Sequence, residues 1–179
     1  MHDLTRLAHE LDRDTRCCRA IIETPKGCRS KFDYDRDSRC FLLKSVLPEG
    51  MSFPLDFGFI PSTLGGDGDP LDVMVMTDEP SPVGALLKVR LVGVIEAEEY
   101  EHGRAERNDR LLAVASETQV YAKIETPDDL PDGFIQQLTD FWINKDRLEG
   151  KDFKSLGVRD PATAVELIRR AGKAAKRAA

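Results

Sequence analysis

At 179 residues, 41% of them hydrophobic and 32% charged, the chain predicts one globular domain over residues 1–179 that buries roughly 70% of its unfolded surface. Its formal net charge of −6 argues against broad nucleic-acid binding, which requires a basic face. An acidic chain that handles a polyanion must gather its lysines and arginines locally or recruit metal ions.

Leu4, Leu7, Ala8 and Leu11 stand at helical spacing and predict a short amphipathic N-terminal helix within residues 4–12. Asp3, Arg6 and Glu10 break any signal-like run there, and no later apolar stretch approaches membrane-spanning length, so a cytoplasmic protein is expected. Cys17, Cys18, Cys28 and Cys40 contain no Cys-x-x-Cys pair and have no histidine at zinc-ligand spacing, which fits reduced structural thiols. His2, His9 and His102 are isolated and are given no role.

From Ala20 to Thr24 the pattern becomes strand-like and is stopped by Pro25 and Gly27. Glu23 ends this apolar run, where a carboxylate is costly unless it has a partner. Residues 30–35 alternate, with Lys31, Asp33 and Asp35 on one face and Phe32 and Tyr34 on the other. Asp37 and Ser38 turn the chain into a second strand from Cys40 to Lys44. The proline-bracketed segment from Phe53 to Pro61 reads as an edge strand lining a core.

The segment Gly65-Gly66-Asp67-Gly68-Asp69-Pro70-Leu71-Asp72 places three carboxylates within six residues, directly before the apolar strand Asp72 to Met76. Folding alone does not call for such a cluster, because like charges this close repel and raise one another's pKa. A cation that prefers oxygen removes the conflict, and Mg²⁺ or Mn²⁺ suits a site of carboxylates and water. The glycines permit tight turns, and Pro70 biases Asp69 toward extended geometry. The plain alternative is a solvated Asp/Gly turn. An EF-hand loop fails on spacing, since Leu71 takes the fifth position and Asp78 the place of the closing glutamate.

A long strand over residues 86–96 is expected to set Leu87, Val89, Leu91 and Gly93 against Lys88, Arg90, Val92 and Val94. Residues 98–107 read as a charged hairpin connection, and residues 108–115 as the next strand. Pro131 marks a helix start, with Phe134, Ile135, Leu138, Phe141 and Trp142 as its apolar face. A last helix opens with Asp160 as cap and Pro161 at its first position, buries Val165 and Ile168, and ends in a basic, solvated turn. Short strands followed by two helices predict an α+β fold whose sheet is a small barrel.

Asp-Gly-Asp-Pro-Leu-Asp-Val closely resembles the signature of the soluble family I inorganic pyrophosphatases, and the chain is similar to that family from about Ala20 to about Lys154. The resemblance implies an OB-like twisted five-stranded β-barrel with flanking helices, Mg²⁺ as cofactor with Mn²⁺ as possible substitute, pyrophosphate as substrate, and a homo-oligomer, hexameric in the bacterial type. It implies that Asp67 and Asp72 bind metal and that Asp69 is the general base. Glu23 matches an active-site glutamate, and Lys31 and Lys145 match phosphate-contacting lysines.

Several positions depart from the family pattern. Asp33 stands for glutamate and Lys44 for arginine, which keeps the charge but loses the bidentate fork. Phe53 and Phe57 replace tyrosines, and Asn144 replaces another. Arg110 matches a phosphate-contacting lysine. Of the two remaining metal-ligand aspartates, Glu99 takes one position and Asn108 the other, with Asp109 one step away. Strand alternation points Asn108 and Arg110 to one face, while a bulge at the strand's entry would swing Asp109 inward as the better ligand.

The chemistry expected of these residues is in-line hydrolysis of a phosphoric anhydride. Divalent ions and Lys31, Lys44, Arg110 and Lys145 neutralise the phosphates, and Asp69 takes a proton from the attacking water. A hydrolase of another small di- or triphosphate and a catalytically weak metal- or polyphosphate-binding module are the alternatives.

Overall fold

The computed structural model describes residues 3–101 and 103–178; His2 and His102 lie outside them. Nine strands are described: β1 (Cys17–Thr24), β2 (Ser30–Asp35), β3 (Cys40–Val46), β4 (Asp56–Phe59), β5 (Asp72–Met76), β6 (Leu86–Glu101), β7 (Arg104–Arg107), β8 (Arg110–Ala115) and β9 (Asp152–Arg159). Two α-helices accompany them, α1 (Phe134–Leu148) and α2 (Pro161–Ala178). The main sheet runs β1-β4-β5-β8-β6, and β6 pairs back to β1. That closes a ring of five strands, the expected barrel, and removes its free edges. β7 and β9 extend β6 beyond the ring, and β2 and β3 form a separate hairpin. No helix among the described residues is long and apolar enough to cross a membrane.

Side chains divide between two packed clusters. Val73 and Val75 of β5 and Leu111 and Ala113 of β8 pack with Ala164, Ile168 and Ala171 of α2. The intervening Met74, Met76, Leu112 and Val114 pack with Leu138 and Trp142 of α1. β5 and β8 are parallel with Asp72 opposite Arg110, so these two residues share the α1-side parity of Met74 and Leu112.

The structure departs from several expectations. The N-terminal helix is a single 3₁₀ turn over Leu4–Arg6, capped by the Asp3 side chain. A helix that short is marginal, and the backbone groups that would extend it are engaged elsewhere. The Thr5 carbonyl accepts from the Ser62 amide at 2.7 Å, and the Leu7 carbonyl from the Ser62 hydroxyl at 2.8 Å.

The expected edge strand is an interior one, because Pro54 and Pro61 fall outside β4, which pairs with both β1 and β5. At Gly58 a Cβ would lie 1.8 Å from the Ile21 carbonyl oxygen, so glycine lets these two strands meet. In β6 a bulge between Leu91 and Gly93 shifts the parity, placing Val94 with Val89 and Leu91, while Val92 keeps its expected place on the opposite, α1 side. The charged connection is itself the end of β6 and β7, turned at Gly103.

β9 was not expected between the two helices. Helix α1 begins at Phe134 rather than Pro131, with Gly133 as its N-cap residue at φ +77°. The Asp129 side chain is spent on an upstream 3₁₀ turn, where it accepts from the Thr126 amide at 2.8 Å.

Candidate active site

The ends of β1, β5, β6 and β8, the hairpin and α1 surround one cavity of about 390 Å³. Glu23, Lys31, Asp67, Asp69, Asp72 and Glu99 line it, with Asn108, Arg110, Lys145 and Phe57. The structure thus gathers most of the residues expected to act together, although they are spread over more than 120 positions of sequence.

The aspartate loop is shaped by its own backbone. The Asp69 carbonyl accepts from the Gly65 amide at 2.7 Å, and the Asp67 carboxylate accepts from the Asp69 amide at 3.0 Å. Gly68 sits at φ +90°, a region costly for other residues. Asp69 projects into the open mouth of the cavity, 79% exposed, with Arg36 at 3.6 Å. Asp72, at the start of β5, lies deeper, and the Arg110 guanidinium reaches its Oδ2 at 2.6 Å. Burial pushes the Asp72 carboxyl up to about 6 against the pull of Arg110, with Asp67 adding to the rise.

Glu23 is the most strongly perturbed carboxyl here. Burial pushes it up to about 8, and Asp33 and Asp72 add to the shift, while the Tyr34 amide, donating to Oε1 at 2.7 Å, works the other way. Lys31 binds Asp33 at 2.9 Å beside it. From the opposite wall, Lys145 is buried against Asp146 at 3.0 Å and Glu149 at 2.7 Å, its Nζ lying 5.5 Å from the Trp142 ring centre.

Three expected residues lie elsewhere. Lys44 is exposed on the hairpin's outer side. A bulge sets Lys31 opposite Ser45 and Phe32 opposite Leu43, so Lys44 falls out of register and Ser45 faces Lys31. Asn144 is exposed on the far side of α1, its amide donating to the Asp140 carbonyl at 2.8 Å. Asp109 keeps the plain strand alternation and faces the α2 side, not the cavity. Its carboxylate accepts from the Ala97 amide at 3.0 Å and from Arg107 at 2.6 Å, and the bulge that would swing it inward is absent from the described strand entry. Asn108 is the residue that enters, donating to Glu99 at 3.0 Å.

Arg36, Glu106, Glu149 and Lys151 also line the cavity and were not foreseen. Glu149 could have been read from its i,i+4 spacing to Lys145. Glu106 becomes visible once the hairpin is paired, since it lies opposite Glu99. Arg36 and Lys151 carry no local signal beyond charge.

The oxygen donors Asp67, Asp72, Glu99 and Asn108 suit a hard divalent cation.

Comparison with known proteins agrees with this geometry. The inorganic pyrophosphatase family profile matches residues 20–176, so the match reaches well into α2. The chain is 38% identical to the inorganic pyrophosphatase of Thermus thermophilus over 152 residues, covering 83% of this chain and 85% of that one. It is 33% identical over 148 residues to the enzyme of that name from Synechocystis, with 83% and 85% covered. The crystal structure of the Thermus thermophilus protein superposes with a TM-score of 0.88, at 32% identity, covering 98% of this chain and 99% of that one. With its closed five-stranded ring, its two helices and its Asp67–Asp72 loop, this chain belongs to the inorganic pyrophosphatase family.

Proposed function

We propose that the cavity hydrolyses inorganic pyrophosphate to two orthophosphates. The observation that carries the site assignment is the convergence of Asp72 and Arg110, paired on β5 and β8, with the Asp67–Asp69 loop and with Lys31 and Lys145 from facing elements. Mg²⁺, with Mn²⁺ as a substitute, would be held by Asp67, Asp72, Glu99 and Asn108. When bound it supplies neutralisation of the phosphate oxygens and a more acidic water. Asp69, exposed at the mouth, takes the proton of the attacking water. Lys31, Arg110 and Lys145 hold phosphate oxygens and stabilise charge as the anhydride opens. Phe57 forms an apolar wall. Glu23, with Oε1 accepting from Tyr34, carries its proton near neutrality in the metal-free cavity. Lys44, Asn144 and Asp109 have no part in this scheme.

Exposed Leu42, Leu43 and Val46 on β3 support a homo-oligomer, which a solution mass above that of one chain would bear out. Free thiols at all four cysteines suit a reducing compartment such as the cytoplasm. The deciding assay is phosphate release from pyrophosphate, and from nucleoside di- and triphosphates, with and without Mg²⁺. Release from pyrophosphate that a chelator abolishes is expected. Binding of Mg²⁺ without release would leave a metal-binding module.

A further inference from the structure

Arg110 is the most confined cation in the cavity. Its side chain is 3% exposed, with Nη1 2.6 Å from Asp72 and Nη2 2.5 Å from Glu99. Nη1 also donates to the side-chain oxygen of Asn108, and the guanidinium carbon stands 4.5 Å from the centre of the Trp142 ring. Its Nε is buried and has no hydrogen-bond partner among the described residues. The planar fork spans two carboxylates at once, which a lysine ammonium does less well. The oxygens best placed to hold a divalent cation are therefore already engaged by a cation of the chain itself. A guanidinium and a dication cannot both lie against the same carboxylate oxygens without strong repulsion.

We propose that Arg110 is a built-in counter-ion that closes the Asp72–Glu99 part of the site, and that it must leave those carboxylates when divalent metal binds. The released guanidinium then turns to a phosphate oxygen, so occupancy by metal and capture of the anion are coupled through one side chain. This rests on the Mg²⁺-dependent reading of the cavity. Linkage makes the coupling reciprocal: an anion that draws Arg110 away strengthens metal binding, and the closed state lowers apparent metal affinity by the fraction of molecules that are open. Asn108 suits this exchange, since a neutral amide holds the guanidinium less firmly than a carboxylate would.

Trp142 is the chain's one tryptophan, so its emission reports whether the guanidinium stays on the ring. Mg²⁺ titrated into wild-type protein without substrate is expected to change that emission, with the midpoint found by calorimetry. Arg110→Met is expected to bind Mg²⁺ roughly 5- to 100-fold more tightly, a usual range for coupling between sites, and to lose the emission change. Arg110→Lys, which keeps the charge, is expected to fall between and serves where the methionine variant does not fold.

Unchanged emission at Mg²⁺ saturation in wild type, or no tighter binding in the variant that folds, overturns the proposal. Absence of both Mg²⁺ binding and Mg²⁺-dependent phosphate release would instead overturn the metal-dependent reading beneath it. Phosphate release that needs Mg²⁺ beside a flat emission trace would sink the counter-ion role alone.

Discussion

The two sides of the barrel wall both use the same strands for packing, but only one of them also carries charge. Facing α2, β5 and β8 present Val73, Val75, Leu111 and Ala113, a dry contact with Ile168 and Ala171. Facing α1, the same strands present Met74 and Leu112 and then, one step nearer their starts, Asp72 and Arg110. Alternation alone makes this division. A charged pair is costly to bury, and it is borne at one end of one face, where Glu99, Asn108 and the Trp142 ring complete its contacts. Both sides of the wall carry a packed core, and the charged residues of the cavity enter only at the strand starts on the α1 side.

If that division is real, substitutions on the two sides will differ in kind. The largest effect is expected from Asp69→Asn: turnover falls by roughly 10²–10⁴-fold, the usual share of a general base, while calorimetry finds Mg²⁺ affinity nearly unchanged. Equal loss of affinity would make Asp69 a ligand. On the other side, Ile168→Ala removes a fully buried side chain and is expected to cost about 2–5 kcal/mol in denaturant unfolding. The turnover of the molecules that remain folded is expected to be untouched. A large drop in their turnover would mean that the two faces are not separable.

A subtler expectation concerns pH. Glu23 is raised from 4.5 to about 8 in the folded, metal-free protein, so the folded state holds a proton that the unfolded chain has lost. The contribution is fully present below pH 4.5 and is lost as pH rises through 8. With chelator present, thermal stability is expected to decline across that window, and Glu23→Gln to flatten the decline. An equally steep decline in the variant would place the proton elsewhere. The smallest effect belongs to Lys44→Ala, which is expected to leave turnover within about twofold, as an exposed residue remote from the cavity should.

The sequence made the barrel and the aspartate loop readable because both depend on local pattern: alternation, turn residues, and carboxylates too close to be incidental. What it concealed were one-residue shifts. The bulge between Lys31 and Phe32 moved Lys44 outward and brought Ser45 to Lys31, and the bulge between Leu91 and Gly93 reversed the parity of Val94. The first has no glycine or proline beside it, while the second sits at Gly93, a strand glycine that can mark a bulge. The helical spacing of Leu4 to Leu11 was genuine, yet Ser62 took the backbone groups that a helix would have needed. Asn144 and Lys145 are neighbours on α1, and the helix turn alone sends one to solvent and the other into the cavity.

The entry to β8 tests the division most directly, because adjacent residues there are assigned to opposite sides. Mg²⁺ affinity by calorimetry in Asn108→Ala and Asp109→Ala is the measurement. The structure leads to weakened binding in Asn108→Ala and wild-type affinity in Asp109→Ala. Loss of affinity in Asp109→Ala with Asn108→Ala unaffected would contradict it.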